Sequence, residues 1–484
     1  MTAPSLTSDS LGWRFDHSYA RLPAPFFRQV APTPVREPRM VIFNGPLASH
    51  LGLDAALADR ADLFSGNALP TNAEPLAQAY AGHQYAHFTM LGDGRAILLG
   101  EQITPQGLRF DVQLKGPGLT PFSRRGDGRA ALGPMLREYI ISEAMHALGI
   151  PTTRSLAVVA TGETVYRQEP LPGAVLTRIA ASHIRVGTFE WAAARGEVEL
   201  LRALTDYTLG RHFAERASAD NPALALLEAV VERQASLIAQ WMHVGFIHGV
   251  MNTDNMALSG ETIDYGPCAF MDAYDPETVF SSIDQHGRYA YGQQAHIAQW
   301  NLARFAEALL PLLDADEERS IEVANEAVRA FQPQFQEHWL AGMRSKLGLF
   351  NAEPEDTDLM QGLLEWMRAT SADYTLTFRR LSTEALPADP ELQPWQQQWT
   401  ARRGRQPQTL AESAALMRRS NPAVIPRNHQ VEAALQAASE RADLAPLHRL
   451  LEVLARPFDD SPAHLDYAQP PAPGGCSYRT FCGT

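Results

Sequence analysis

Apolar positions in this chain keep two rhythms, and the change from one to the other divides it. In the first part they alternate with polar positions. Asp111-Val112-Gln113-Leu114-Lys115 puts Val112 and Leu114 on one face, as in a half-buried strand that ends in a lysine. Residues 96–100 read as a further strand, 153–159 with 163–166 as a hairpin, and 174–179 as another strand. One helix is expected here, PMLREYIISEAMHAL over 134–148, with a proline near its first turn, where a missing N–H costs nothing. From 190 to about 244 the spacing turns helical (LLRALTDYTLGRHFAE, ALALLEAVVERQASLIAQWMHVG), and it resumes over 295–313, 321–347 and 357–371.

The flanks follow neither rhythm. Residues 1–75 are proline-rich and irregular, with short apolar pieces at 40–43 and 51–53. The helical pattern breaks at Leu386-Pro387-Ala388-Asp389-Pro390. Beyond it NPAVIPRNH (421–429) is extended, because a residue before proline is pushed out of the helical region. A helix carrying Val431, Ala434 and Leu435 follows, then a tail ending CSYRTFCGT. The expectation is an α+β protein in four stretches: 1–75 wrapping the first lobe, 76–187 β-rich, 188–385 helical, and 386–484 a C-terminal extension.

Composition narrows the partners. A formal net charge of −14 argues against a general nucleic-acid binder, which needs a basic surface. A local basic pocket for one nucleotide stays compatible with it. Hydrophobic residues at 45% and charged residues at 20% are those of a soluble globular protein, and 484 residues suit a two-lobed enzyme with additions. The first residues lack the charged start and apolar core of a signal peptide, and no run approaches the roughly eighteen apolar residues of a membrane span. The protein is therefore expected in the cytoplasm, as a monomer without membrane or nucleic-acid partners. Three cysteines, Cys268, Cys476 and Cys482, are too few for a disulfide scaffold.

The densest chemistry lies in residues 245–272, GFIHGVMNTDNMALSGETIDYGPCAFMD. His248 and Asn255 keep the spacing of the His and Asn in a protein-kinase catalytic loop, and Asp264-Tyr265-Gly266 follows where kinases have Asp-Phe-Gly. In kinases that Asn and that Asp hold the metal ions on the phosphates. The kinase base is replaced by Val250, and a carboxylate reappears as Asp254. Upstream stand Gly92-Asp93-Gly94, which taken alone is a hairpin turn, and Lys115, which taken alone is a lysine snorkelling from a strand end. An Arg- and Gly-rich loop over 117–133 carries Arg124, Arg125, Asp127 and Arg129, a place to look for an anion. Glu138 and Glu143 both sit on the helix, about 140° apart, so only one can face Lys115; periodicity does not choose. Arg178 and Arg185 bracket Ser182-His183. The order of Gly turn, strand Lys, helix Glu, His…Asn loop and Asp-aromatic-Gly is the order in which kinases present their phosphate-handling parts.

Over nearly its whole length the chain resembles the selenoprotein O family of protein adenylyltransferases, which have a protein-kinase-like two-lobed fold. The matching stretches are YAGHQYAHFTMLGDGRA (80–96), QLKGPGLTPFSRRGDGRAALGPMLREYIISEAMHALGIPTTRSL (113–156), residues 245–272, and NPAVIPRNH. The resemblance implies that Lys115 binds phosphate with Glu138 as its partner, that Asn255 and Asp264 hold Mg²⁺ (or Mn²⁺), and that Asp254 is the proton acceptor. It further implies nucleotide contacts from Gly92, Gly94, Arg95, Asp127, Gly128, Arg178, Arg185 and Asp264. ATP would then bind inverted relative to kinases, and AMP would pass to Ser, Thr or Tyr hydroxyls of protein substrates as pyrophosphate leaves. The alternatives are a kinase transferring the γ-phosphate and a non-catalytic nucleotide-binding pseudokinase, the latter suggested by Val250. Cys482 stands near the end, where some members carry selenocysteine, which suggests reversible pairing of Cys268 with Cys482, or with Cys476.

Overall fold

In the computed structural model, residues 11–472 and 478–480 are described. Strands β1 (Phe15–Asp16), β2 (Phe27–Gln29) and β3 (Arg39–Phe43) precede two short helices, α1 (Gly45–Leu51) and α2 (Ala61–Ser65). Then come β4 (Leu76–Gln78), β5 (Ala81–Gln84), β6 (His87–Met90), β7 (Ala96–Ile103), β8 (Arg109–Lys115) and β9 (Ala130–Ala131). Helix α3 (Leu132–Ala147) and the long strands β10 (Arg154–Tyr166) and β11 (Pro170–Ala180) complete this half.

The main sheet runs β2-β4-β7-β8-β11-β10-β3, antiparallel throughout, with β1 added on β7 and β9 on β11. Its pleat sorts side chains by parity. Ile97, Leu99, Val112, Leu114 and Val175 pack with Leu47, Leu51 and Phe64 under α1 and α2, while Leu98, Val158 and Leu176 face α3 with Leu136 and Ile140. The alternation read from 111–115 is therefore real. Its polar members, Asp111, Gln113 and Lys115, are buried too.

Two local expectations fail for physical reasons. Residues 153–166 form no hairpin. They are the single strand β10, whose register against β11 shifts between Ala160 and Thr164. Gly162, with φ +69°, sits at the irregularity, so the glycine is a bulge rather than a turn. Likewise 321–347 is two helices, α8 (Glu317–Arg329) and α9 (Phe331–Lys346), among the series α4 (Val186–Ala193), α5 (Val198–His212), α6 (Pro222–His243) and α7 (Gln294–Leu313) that precedes them. Pro333 has no N–H to donate and so belongs in the first turn of α9, where none is needed. Asp316 starts α8 by accepting from Arg319 N at 2.9 Å, a side-chain cap.

Between α6 and α7 the chain makes a two-stranded clasp, β12 (Phe246–Ile247) with β13 (Ala269–Phe270), which holds the 245–272 loop at its ends. Helices α10 (Asp356–Thr370), α11 (Tyr374–Leu381), α12 (Gln393–Gly404) and α13 (Leu410–Ser420) share a second core with this clasp. The chain then returns to the sheet half. Helix α14 (Asn428–Arg441) packs on α3 through Val431, Ala434 and Leu435, followed by α15 (Ala445–Leu454). The extended stretch before α14 is fixed by Arg427, which is fully buried and reaches Asp272 at 2.6 Å and Asp373 at 2.7 Å. An antiparallel sheet with one long helix, followed by a helical half and a cleft between them, is the two-lobed kinase arrangement. Among the described residues no helix is long and apolar enough to cross a membrane.

Lys346 at the end of α9 is buried, with Nζ 4.1 Å from the Phe378 ring centre and 5.3 Å from that of Tyr374, and it forms no ion pair among the described residues. Burial pushes its ammonium down to about 7. A lysine whose pKa falls on folding destabilises the fold while it is held charged, and the cost shrinks as pH rises from the folded value toward the unfolded one. Lys346→Met is expected to raise the thermal midpoint by a few degrees at about pH 6 and by less at about pH 9. An equal gain at both pH values would show that the ammonium costs nothing.

Candidate active site

The cleft, of about 570 Å³, is lined by Gly92, Gly94, Arg95, Lys115, Asp127, Gly128, Arg178, Arg185, Asp254 and Asp264. Lys115, at the end of β8, donates to Glu138 Oε2 at 2.7 Å and to Asp264 Oδ1 at 2.5 Å. Glu138 is thus the partner that periodicity left open. Glu143 is occupied elsewhere, accepting from Arg154 at 2.8 and 2.6 Å and from Asn44 at 2.8 Å. Arg178, paired across from Gln113 in the sheet, donates to Asp264 Oδ1 at 3.0 Å and to Gln113 Oε1 at 2.6 Å. Burial alone would raise the Asp264 carboxyl, but Lys115, then Arg178 and Arg185, override it and hold it well below the usual carboxylate range.

Arg185 lies just before α4, fully buried, with its guanidinium 4.3 Å from the Tyr80 ring centre. It donates to the carbonyls of His183 and Asp254, both at 3.1 Å, yet its Nη2 has no partner; nor has Arg178 Nε. In the same lining, Asp254 Oδ1 is a buried acceptor without a partner. Burial raises the Asp254 carboxyl to about 6, against the pull of Arg185. Unpaired buried polar groups of both signs in one cleft call for a ligand that supplies both.

The Gly92-Asp93-Gly94 turn is not the hairpin turn that its composition suggests. Its flanking strands do not pair with each other; β6 pairs with β5, and β7 with β8. Instead the loop after β8 folds over it, so that a Cβ on Gly92 would stand 2.5 Å from the Phe122 ring. Asp93, buried beneath, is pushed up to about 6 by burial and accepts from Gln113 Nε2 at 3.1 Å. Asp127 faces outward and pairs with Arg167 at 2.9 Å.

Two predicted residues stand apart from the cleft lining. Glu138 lies behind Lys115. Asn255 is turned from the cleft wall, its Nδ2 donating to Val250 O at 2.9 Å. His248 is structural: it is buried, its Nε2 bonds Ile263 O at 2.8 Å, and its ring stacks on Trp241. Cys268 is buried, and burial pushes its thiol up to about 12; Cys476 and Cys482 lie outside the described residues. The segment 478–480 reaches the same loop, Thr480 Oγ1 donating to Pro267 O at 2.7 Å.

Sequence reasoning missed a clamp on the turn that carries Asp254. Glu190 of α4 accepts from Thr253 Oγ1 at 2.6 Å and bonds His83 Nδ1 at 2.5 Å, while His83 N donates to Thr253 Oγ1 at 2.7 Å. Three elements far apart in the chain thus close on the residue beside Asp254. Glycines let them approach: a Cβ on Gly82 would lie 2.5 Å from Asp254 Oδ1, and one on Gly187 would lie 1.9 Å from Ala81 O. The small residues Gly82 and Gly187 were the only sequence signal of this contact.

Fold and cleft define the class, a kinase-fold protein with Lys115, Arg178, Arg185 and Asp264 lining a pocket between its halves. The chain belongs to the family described as Protein adenylyltransferase SelO, which matches residues 10–455. Its relatives include proteins named Protein nucleotidyltransferase YdiU. That of Halalkalibacterium halodurans is 62% identical over 98% of both chains, and that of Syntrophotalea carbinolica 60% identical over the whole of both. The one from Rhizobium meliloti is 59% identical over 98% of this chain and 99% of its own. Among solved structures the chain is similar to ROP2 from Toxoplasma gondii, described as a virulence factor with a protein-kinase fold and no enzymatic activity. That match covers 67% of this chain and 86% of the other, at 10% identity and a TM-score of 0.26, and carries nothing about activity.

Glu190→Ala strands the buried Thr253 hydroxyl and the half-buried His83 and is expected to cost about 2 kcal/mol of stability, with amide exchange across 250–256 at least about tenfold faster than in the parent. Exchange in this segment that matches the parent would remove the clamp.

Proposed function

We propose that the protein binds ATP in this cleft and transfers its AMP to Ser, Thr or Tyr hydroxyls of proteins, releasing pyrophosphate. The observation that carries this reading is that unpaired buried donors on Arg178 and Arg185 and the unpaired Asp254 Oδ1 belong to residues lining one cleft. A polyanion answers the first and a hydroxyl the second.

In this reading Lys115, Arg178 and Arg185 hold the outer phosphates by charge-assisted bonds that strengthen as charge builds on the leaving pyrophosphate. Arg95 and the backbone of the Gly92–Gly94 turn, with Asp127 and Gly128, take the rest of the nucleotide. Glu138 keeps Lys115 extended toward the cleft. Asp254 accepts the proton of the incoming hydroxyl. With its pKa at about 6 it is still ionised at neutral pH, yet a stronger base than an ordinary carboxylate. Val250, buried and apolar, fills the place of the kinase base, so the proton acceptor moves to the other end of the loop.

Asn255 and Asp264 suit a hard divalent cation such as Mg²⁺, because they offer oxygen donors. No cage of three His, Cys, Asp or Glu is found among the described residues, and phosphate oxygens would complete the shell. Bound there, the ion supplies neutralisation of the phosphate charge. The amide of Asn255 is oriented by its bond to Val250 O, which leaves its oxygen turned away from that carbonyl.

Incubation with ATP labelled at the α- or the γ-phosphate tests the reaction: label on protein from α alone is expected, and label from γ alone would overturn the reading. Asp254→Asn is expected to lower kcat by about 10²–10⁴-fold while ATP affinity stays near that of the parent. Asp264→Ala should lose transfer together with metal-dependent nucleotide binding, and unchanged transfer would remove the metal assignment.

A further inference from the structure

A second concavity, of about 680 Å³, opens beside the tip of the β5–β6 hairpin. Its walls are Tyr85 at the hairpin tip, Ile283, His286 and Arg288 from the segment after Asp272, and His296 and Trp300 of α7. Two hydrogen bonds tie this groove to the catalytic turn. Tyr85 N donates to Asn252 Oδ1 at 3.2 Å, and the Tyr289 hydroxyl donates to the same oxygen at 2.6 Å. Asn252 stands two residues before Asp254, no more than about 7 Å of chain. The groove wall and the turn that carries Asp254 are thus joined through Asn252.

The chemistry of the walls is one-sided. Trp300 is covered by two guanidinium groups, Arg288 at 4.9 Å and Arg304 at 5.3 Å from its ring centre. Arg304 pairs with Glu307 at 2.8 Å, whereas Arg288 makes no ion pair among the described residues, and its Nε is buried without a partner. Asp284, the one acid lining the groove, is used internally, accepting from Arg288 N at 3.0 Å and Tyr289 N at 2.8 Å. The imidazoles of the groove do not converge as a metal-ligand set among the described residues. At the rim Ile283 is 54% exposed, and on β6 Phe88 is 46% exposed, both large apolar side chains open to solvent. In a chain of net charge −14, a groove whose arginine is bonded to Tyr289 but has no acidic partner among the described residues, with imidazoles, an indole and an apolar rim, complements an acidic partner with aromatic side chains. The groove wall is also held in place. Thr480 N donates to Phe280 O at 2.8 Å and Ser282 N to Thr480 O at 2.9 Å, which anchors the segment directly before Ile283.

We propose that this groove docks the acceptor protein, through an extended segment carrying acidic and aromatic residues next to the modified hydroxyl. The inference rests on nucleotidyl transfer to proteins and adds where the acceptor sits and what its sequence looks like around the target.

The test is equilibrium binding of two fluorescein-labelled dodecapeptides to the full-length protein, one of alternating Glu and Tyr, the other of alternating Lys and Tyr, read by anisotropy. The Glu–Tyr peptide is expected to bind, and the Lys–Tyr peptide to bind about tenfold more weakly or worse. Arg288→Glu should weaken the Glu–Tyr peptide by about tenfold, and Ile283→Asp, a change at an exposed site, should weaken it several-fold. A fluorescent ATP analogue should bind both variants as it binds the parent. Absence of Glu–Tyr binding, equal binding of the two peptides, or unchanged Glu–Tyr affinity in both variants would each overturn the proposal. So would a parallel loss of ATP-analogue affinity, which would make the groove a structural support of the cleft. Because peptide binding is read without turnover, failure of the label-transfer experiment would leave this result standing, and the two readings fall separately.

Discussion

Burying like charges side by side is the constraint on which the rest of this structure depends. Lys115, Arg178 and Arg185 are all out of water within one cleft, and each would be costly alone. Glu138 and Asp264 compensate Lys115 and Arg178 directly, and the pleat of β8 and β11 sets the two cations side by side over Asp264. Helix α3 has to run close behind the sheet to deliver Glu138, and it is packed from both sides to do so, by the sheet on one and α14 on the other. Arg185 bonds two carbonyls and stacks on Tyr80, with the charges of Asp93, Asp264 and Asp254 nearby. Arg178 Nε and Arg185 Nη2 nonetheless stay without partners among the described residues of the cleft.

A second constraint is closeness. The turn that carries Asp254 is gripped by α4 and by the β5–β6 hairpin, and the grip works only because Gly82 and Gly187 lack side chains. The hairpin also reaches the segment after Asp272 through Tyr85 and Tyr289, whose rings meet at 5.2 Å. One small hairpin therefore touches Asp254, the clamp on its turn and the outer groove.

How much of this was legible in the sequence depended on the range of the interaction. The strand over 111–115 and the helix over 134–148 follow from local periodicity, and the structure holds them as β8 and α3. Gly162 and the 321–347 stretch were misread because a bulge and a turn, or one helix and two, share a local signal until partners are known. Glu138 and Glu143 could not be separated because α3 is buried nearly all round and shows no polar face. The Gly92–Gly94 turn looked like a hairpin because only the fold reveals that Phe122 lies across it. The Glu190 clamp joins residues more than a hundred positions apart in two of its bonds, and no pattern within a window contains it. The relocated acid at Asp254, by contrast, was visible at once from the motif spacing, although what faces its carboxyl was not.

Arg427 gives the architecture a direction in time. Its guanidinium is the shared counter-ion of Asp272 and Asp373, and the helix that follows it covers the helix bearing Glu138. A chain emerging from the ribosome makes its sheet half and the 245–272 loop before this arginine, so both carboxylates are uncompensated and one face of α3 is bare until it arrives. The site can be completed only when the last part of the chain arrives. Order along the chain thus matters to this fold, since a chain ending before Arg427 leaves Asp272 and Asp373 without their shared counter-ion and α3 without its outer cover.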